Sequence, residues 1–178
     1  MYLHLSDFDH LRDDPTVRFR EEWVNGKEVV ILAYMISNDD LWAKPLGVEC
    51  RGSTFMKDSG ELISLPFEKF FNVNEKAHTQ ASIICDYPVD FILNKCDGSM
   101  ITAANINGTI SLKTKKSFYS DVANSANKAM TREVLNMCRD ALNFGYCPIF
   151  EFTSPDNKIV LDYGTEPNFT LLAIRDME

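Results

Sequence analysis

Asn-Gly dipeptides between β-rich runs constrain the fold of this chain more than any other feature of its sequence. Asn25 and Gly26 separate the β-rich runs 17–23 and 27–35, and a second Asn-Gly pair follows at 107–108. Asn-Gly is the strongest short hairpin signal, because both residues accept the positive φ values that a two-residue turn requires. We therefore predict a chain that is rich in antiparallel hairpins.

The remaining segments predict further strands and two consecutive helices. Apolar residues recur at helical spacing over 131–144, where Thr131 can cap the start and Gly145 can end the helix. Another helix is predicted over 120–130, and a short one over 6–12 with Ser6 as its cap. The other predicted strands are 53–56, 61–65, 89–93, 99–106, 109–113, 148–153, 158–163 and 169–174. The expected fold class is α+β, with antiparallel sheets and flanking helices in one domain covering 1–178.

Composition excludes several classes of protein. The net charge of −8 argues against a broad electrostatic grip on nucleic acid, although Lys113, Lys115 and Lys116 form a local basic cluster. Five scattered cysteines predict reduced thiols, and neither they nor the three histidines have metal-ligand spacing. The sequence has no apolar run that is long enough to span a bilayer, and its N-terminus is acidic, so we expect a cytoplasmic protein without a membrane partner.

The candidate reactive group is a lysine at the end of an apolar run. Lys95 follows the predicted strand 89–93 and precedes the turn dipeptide formed by Asp97 and Gly98. A neutral lysine amine can attack phosphorus, but its pKa of about 10.4 must first be lowered by burial or by nearby cations. The same pattern is also typical of an ordinary hairpin with a solvated lysine, so the surrounding residues must decide.

Basic and aromatic residues elsewhere could serve a phosphate or a base. Arg51 beside Gly52 suits bidentate phosphate binding, and its alternative is a surface ion pair. Lys69 and Phe71 could hold a phosphate and stack a purine, or could belong to the core. Lys115 could face the same cavity as Lys95 and lower its pKa, or could be a solvated lysine at a strand end.

Glu151 lies between two phenylalanines in a predicted strand. Side chains alternate along a strand, so Glu151 points away from the core if Phe150 and Phe152 point into it. It then faces either solvent or a cleft. In a cleft, its carboxylate could bind a ribose hydroxyl or a metal ion.

Taken in order, these segments resemble the adenylyltransferase domain of phage RNA ligases that repair cleaved tRNA, within the covalent nucleotidyltransferases. The resemblance covers residues 48–174 and depends on the order of the motifs as much as on any one of them. The matching segments are 49–52, 68–72, 95–98, 113–115, 150–152 and 159–163.

The resemblance implies a nucleotidyltransferase (ATP-grasp-like) fold and an ATP- and Mg²⁺-dependent RNA ligase. Lys95 would become adenylylated, transfer the AMP to a 5′-phosphate on RNA, and allow a 3′-hydroxyl to displace it. The residues that it implies for nucleotide binding are Arg51, Lys69, Phe71, Asp97, Gly98, Lys115 and Glu151, and Glu151 is also the candidate Mg²⁺ ligand. The implied partner is RNA, specifically tRNA with a broken anticodon loop, in the host cytoplasm if a phage encodes the chain.

The sequence departs from the family's pattern near its C-terminus. The family's later acidic-glycine strand, its strand with two lysines and its tRNA-specific helical domain find no place before Glu178. We therefore expect a shortened, split or degenerate ligase, with a separate C-terminal ligase fragment as a possible partner. The alternatives are a nucleotide- or RNA-binding relative that has lost catalysis, and a relative of DNA ligases or capping enzymes.

Overall fold

Two antiparallel sheets form the framework of the protein. The computed structural model describes residues 2–157, 161 and 163–178. In the first sheet the spatial order is β1-β2-β3-β4, with the bounds Val17–Val24, Lys27–Tyr34, Arg51–Met56 and Leu62–Ser64. In the second the order is β6-β5-β7-β8, where β5 to β8 have the bounds Ser99–Ile106, Thr109–Lys113, Tyr146–Thr153 and Asn168–Asp176. The predicted α+β class with antiparallel sheets is therefore confirmed.

The two Asn-Gly turns form as predicted and lie next to each other. Asn25 and Asn107 have φ values of 48° and 54°, and the glycine after each also has a positive φ. The Asn25 side chain donates to the Ser111 hydroxyl at 2.8 Å, and the Asn107 side chain donates to the Asn25 carbonyl at 3.3 Å. The two hairpins thus connect the sheets at one end.

Helices cover one face of the second sheet. Helix α3 spans Asp121–Ala129 and α4 spans Arg132–Asn143, with Ser120 and Thr131 accepting backbone N–H bonds as their caps. Both helices pack against this sheet, where Ala126 and Cys138 join a buried cluster with Phe150 and Phe152. The short helices α1 and α2 span Asp39–Trp42 and Ala81–Ile84. Single 3₁₀ segments occur at Leu5–Leu11, Gly47–Glu49, Ala77–Thr79 and Pro155–Asn157.

The sheets pack on each other through a shared apolar layer. Val29 and Ile31 of β2 meet Ala104 and Ile106 of β5, and Phe118 closes the same cluster. The Ser64 hydroxyl of β4 donates to the Thr102 hydroxyl of β5 at 3.1 Å inside this interface. This packing brings the start of β3 close to the end of β6, where several candidate site residues lie.

Two sequence predictions differ from the structure, and a third lies outside the described residues. The predicted strand 89–93 is wrong, because these residues pair with no strand of the described residues and leave their apolar side chains exposed. The N-terminal helix is a 3₁₀ segment that begins at Leu5, and His4 rather than Ser6 caps it, since its ring accepts from the Ser6 N–H. The predicted strand 158–163 falls on residues 158–160 and 162, which lie outside the described residues.

The helices in the described part of the chain are too short or too polar to cross a membrane.

Candidate active site

A cleft of about 460 Å³ brings together three of the predicted site residues. Lys95, Arg51 and Glu151 line it, and they come from a loop, the start of β3 and the middle of β7. Its apolar wall includes Phe67, Phe70, Met100 and Leu172. The cleft therefore combines two cations and one carboxylate with an apolar surface, within the size range of small-molecule sites.

The loop that carries Lys95 is held by hydrogen bonds of Asp97 and Gly98. The Gly98 N–H donates to the Glu151 carboxylate at 2.9 Å, and the Asp97 N–H donates to the Tyr163 hydroxyl at 2.8 Å. The Asp97 carboxylate also accepts from the Leu161 N–H at 2.9 Å. Lys95 itself is exposed at the cleft mouth, so these bonds fix the base of its loop and leave its side chain free to move.

Gly98 is required for a different reason than the turn that the sequence predicts. Its φ is not positive, so conformational freedom is not what the position needs. A Cβ at this position would lie 2.3 Å from the Phe152 carbonyl oxygen. Glycine is needed because the Lys95 loop passes directly against β7.

Glu151 points into the cleft rather than into solvent. Phe150 and Phe152 are buried in the core, as strand alternation predicts, and Glu151 is half-buried on the opposite face. It is the only carboxylate lining the cleft among the described residues. Because Mg²⁺ is usually bound through one or two carboxylates, with water and phosphate oxygens completing its shell, a single glutamate would fit a Mg²⁺ ion bound together with a phosphate ligand. No group of three potential ligand side chains that could hold a metal ion occurs in the described part of the chain.

Arg51 does not make the surface ion pair that was its alternative interpretation. Its guanidinium lies 4.7 Å from the centre of the Phe70 ring, and one nitrogen is 3.5 Å from the carbonyl oxygens of Phe67 and Glu68. The neighbouring Glu49 instead forms a bidentate ion pair with Arg175 at 2.7 and 3.0 Å. No carboxylate of the described residues pairs with Arg51, so its charge is available to an anion in the cleft.

Lys115 lies near Arg51 but does not line the cleft that holds Lys95. Its ammonium is 3.9 Å from the centre of the Tyr34 ring. Burial lowers the pKa of Lys115 to about 8, and the charges of Lys116 and Arg51 add to this effect. The expected shared cavity with Lys95 is therefore not seen, and Lys115 is coupled electrostatically to Arg51 instead.

Lys113, one of the three lysines of the basic cluster in the sequence, is completely buried. Its ammonium donates to the carbonyl oxygens of Gly52 at 2.8 Å and Thr114 at 3.1 Å, and burial lowers its pKa to about 8. Gly52, with φ +110°, passes so close that a Cβ there would lie 2.9 Å from the Lys115 carbonyl oxygen. This junction sets Arg51 beside Lys115. Strand alternation could not predict the burial of Lys113, because the first sheet, through Gly52 of β3, covers its side chain.

Lys69 and Phe71 line a separate cavity of about 550 Å³. The Lys69 ammonium lies 4.0 Å from the centre of the half-buried Phe71 ring. Trp42 and His78 complete this wall. Neither was a candidate from the sequence, because no spacing signal connects them to Phe71. Phe70 lines both cavities, so the two sites are neighbours that share one wall.

Comparison with known proteins identifies the family. Residues 49–178 match the family model described as RNA ligase, and the chain belongs to this RNA ligase family. It is 31% identical over 151 residues to a protein of Thermovibrio ammonificans named "Putative RNA ligase", an overlap of 84% of this chain and 39% of that protein.

Two viral proteins are also similar to the chain. RNA ligase 1 of bacteriophage TS2126 is 25% identical over 182 residues, covering 95% of this chain and 45% of that protein. The "Putative bifunctional polynucleotide kinase/RNA ligase" of Autographa californica nuclear polyhedrosis virus is 26% identical, covering 75% of this chain and 22% of that protein. The chain thus spans less than half the length of these three relatives.

Proposed function

We propose that this chain is the nucleotidyltransferase part of an ATP-dependent RNA ligase, which joins a 5′-phosphate to a 3′-hydroxyl through AMP bound covalently to Lys95. The observation that supports it best is the cleft lined by Lys95, by the inward-pointing Glu151 and by Arg51, which pairs with no carboxylate among the described residues. Membership of the RNA ligase family supports RNA as the substrate class. Repair of tRNA with a broken anticodon loop is the specific reaction that we propose.

The chemistry requires one nucleophile and several fixed cations. The neutral Lys95 amine attacks the α-phosphorus of ATP, forming an N–P bond as the P–O bond to pyrophosphate breaks and the amine proton passes to water. An oxygen of the RNA 5′-phosphate then attacks this phosphorus and releases Lys95. Finally, the RNA 3′-hydroxyl attacks the 5′-phosphate and expels AMP. Negative charge spreads over the phosphoryl oxygens in each transition state, so catalysis depends on positioning and on nearby cations.

The remaining residues then have separate roles. Arg51 and Lys115 bind phosphate oxygens, and the phosphate in turn relieves the repulsion between these two neighbouring cations. Asp97 and Gly98 hold the Lys95 loop on β7 through their backbone and side-chain bonds. Glu151 binds the nucleotide sugar or contributes an oxygen to Mg²⁺, which when bound would offset phosphate charge. Lys69 and Phe71 bind a nucleotide in the adjoining cavity.

A C-terminal ligase segment is part of this proposal, because the relatives are more than twice as long as the matched region. We expect it to supply further cations for the triphosphate. The chain alone should then bind adenosine but adenylylate itself slowly. Adding the segment as a second polypeptide should speed adduct formation, and ligation by the chain alone at the rate of a longer ligase would contradict this part.

Adduct formation on Lys95 tests the central claim. Incubation with ATP and Mg²⁺ should add the mass of one AMP, and peptide mapping should locate it on Lys95. Lys95→Ala and Lys95→Arg should abolish the adduct with unchanged circular dichroism, whereas Lys27→Ala, at a surface ion pair away from the cleft, should retain it. An adduct that persists on Lys95→Ala would place the nucleophile elsewhere. A chain that binds nucleotide and RNA without any adduct would favour the non-catalytic relative.

A further inference from the structure

We propose that the cavity lined by Trp42, Phe71 and His78 binds one base of the RNA strand, with the phosphate beside that base held by Lys69 and Lys76. This inference rests on the proposed function and extends it, because it gives RNA its own pocket beside the Lys95 cleft. The cavity has a volume of about 550 Å³, which is enough for a nucleotide.

The aromatic groups of the cavity come from three separate parts of the chain. Trp42 ends α1, Phe71 follows β4, and His78 lies in the 3₁₀ segment Ala77–Thr79. Phe71 contacts both of the others edge to face, with ring centres 6.3 Å from Trp42 and 5.7 Å from His78. The indole N–H of Trp42 has no hydrogen-bond partner among the described residues, which is uncommon in folded proteins. Aromatic side chains that line a cavity are what single-stranded nucleic acid uses to stack its bases.

Two lysines place their ammonium groups beside the aromatic wall of the cavity. The ammonium groups of Lys69 and Lys76 lie 4.0 and 5.1 Å from the Phe71 ring centre, so both are beside the aromatic wall. Lys69 is 3.6 Å from Glu75, and Lys76 contacts Asp39, whose side chain is 79% exposed. The side chains of Lys69 and Lys76 are only 13% and 19% exposed, so of the four partners Asp39 alone is open to solvent. A phosphate that enters the cavity can replace the exposed Asp39 carboxylate on Lys76.

The position and lining of this cavity favour RNA over ATP as the occupant. ATP has one base, and the apolar wall of the Lys95 cleft already offers it a place next to the nucleophile. The second cavity has its own aromatic wall and its own cations, so it fits a second base with its own phosphate. Phe70 lines both cavities and carries Arg51 on its face, so a strand end could pass from one to the other along basic groups.

Tryptophan fluorescence offers a direct test. The chain has two tryptophans, and Trp23→Phe replaces the exposed one and leaves Trp42 as the only reporter. Titration with a 5′-phosphorylated single-stranded oligoribonucleotide should quench Trp42 to saturation. In this background His78→Ala should weaken RNA binding about fivefold to 150-fold, the range expected when one base loses a stacking partner. Lys76→Gln should lower the slope of log affinity against log salt by about 0.7, the value for one phosphate contact on a single strand.

The controls separate this inference from the proposed function. Lys27→Gln, which removes a lysine that pairs with a carboxylate outside the cavity, should change neither the affinity nor the salt slope. Quenching by ATP alone, with competition between ATP and the oligoribonucleotide, would assign the cavity to ATP and overturn the inference. Unchanged Trp42 fluorescence, or unchanged RNA affinity in both His78→Ala and Lys76→Gln, would also overturn it. The AMP adduct on Lys95, measured in the same samples, reports independently on the proposed function.

Discussion

Lys113 is the residue whose surroundings differ most from what its charge alone would suggest. Its ammonium is completely buried between the two sheets and bonds only to backbone carbonyl oxygens among the described residues. Burial lowers its pKa to about 8, whereas a lysine in an unfolded chain titrates near about 10.4. Below pH 8 the buried amine is protonated in the folded protein, and its charge then destabilises the folded state relative to the unfolded chain.

This pKa difference predicts how stability changes with pH. Between about pH 8 and pH 10.4 the unfolded chain binds more protons at Lys113 than the folded chain, so this group makes the free energy of unfolding rise with pH, by at most roughly 3 kcal/mol. Lys113→Met should lack that rise. Urea unfolding from pH 7 to pH 10 measures the free energy of unfolding of both proteins. The wild-type value minus the Lys113→Met value should increase with pH. A difference that stays constant across this range would show that Lys113 does not titrate as described.

Glu151 has two functions that conservative substitution can separate. Its carboxylate accepts the Gly98 N–H at 2.9 Å and also supplies the only negative charge lining the Lys95 cleft among the described residues. Glu151→Gln keeps an acceptor and removes the charge, so it should weaken binding of ATP with Mg²⁺ while leaving the melting temperature unchanged. Glu151→Ala should weaken binding and also loosen the Lys95 loop, which hydrogen exchange at Gly98 would detect. Equal ATP affinity in wild type and both variants would remove Glu151 from the site.

At the scale of single elements, local signals predict most of the framework. The Asn-Gly turns specify two hairpins, and Ser120 and Thr131 specify where the two long helices begin, because these features depend on a few adjacent residues. The strand predicted over 89–93 failed for a non-local reason. A strand needs a partner, and whether the chain path brings this run alongside a sheet is not visible in a sequence window.

The exposed run 89–93 should be replaceable without loss of stability. Phe91 and Ile92 are 83% and 92% exposed, so the double variant Phe91→Ser/Ile92→Ser should change the free energy of unfolding by less than about 0.5 kcal/mol per site. Binding of an apolar dye should fall, since the variant removes an exposed apolar surface. Ile31→Ser, at a fully buried position, is the matched control and should be strongly destabilising. Comparable losses in the two proteins would mean that the run is packed in solution.

At the scale of the whole molecule, the sequence could not predict how the candidate residues divide between cavities. Arg51, Lys95 and Glu151 meet in one cleft, whereas Lys69 and Phe71 lie in the next. That division depends on how the sheets pack and on where the segment after β4 runs. Local sequence patterns contain no information on the packing of the sheets or on the path of that segment. Residue patterns and the resemblance identified these residues as candidates, and only the three-dimensional structure supplies their grouping.

An ion pair near the C-terminus connects the two sheets beside the candidate site. Arg175 of β8 binds the buried Glu49 carboxylate through two bonds and also donates to the Pro66 carbonyl. Arg175→Met should destabilise the protein by about 3 kcal/mol, because it leaves a buried charge without its partner. Arg12→Met, which breaks an exposed pair with Asp9, should have a much smaller effect.

Adding Glu49→Gln to Arg175→Met should restore part of the lost stability in urea unfolding, since the unpaired charge is then gone. ATP affinity should fall with Arg175→Met as well, because Glu49 lies two residues before Arg51. If Arg175→Met were no more destabilising than Arg12→Met, this pair would not connect the sheets in solution.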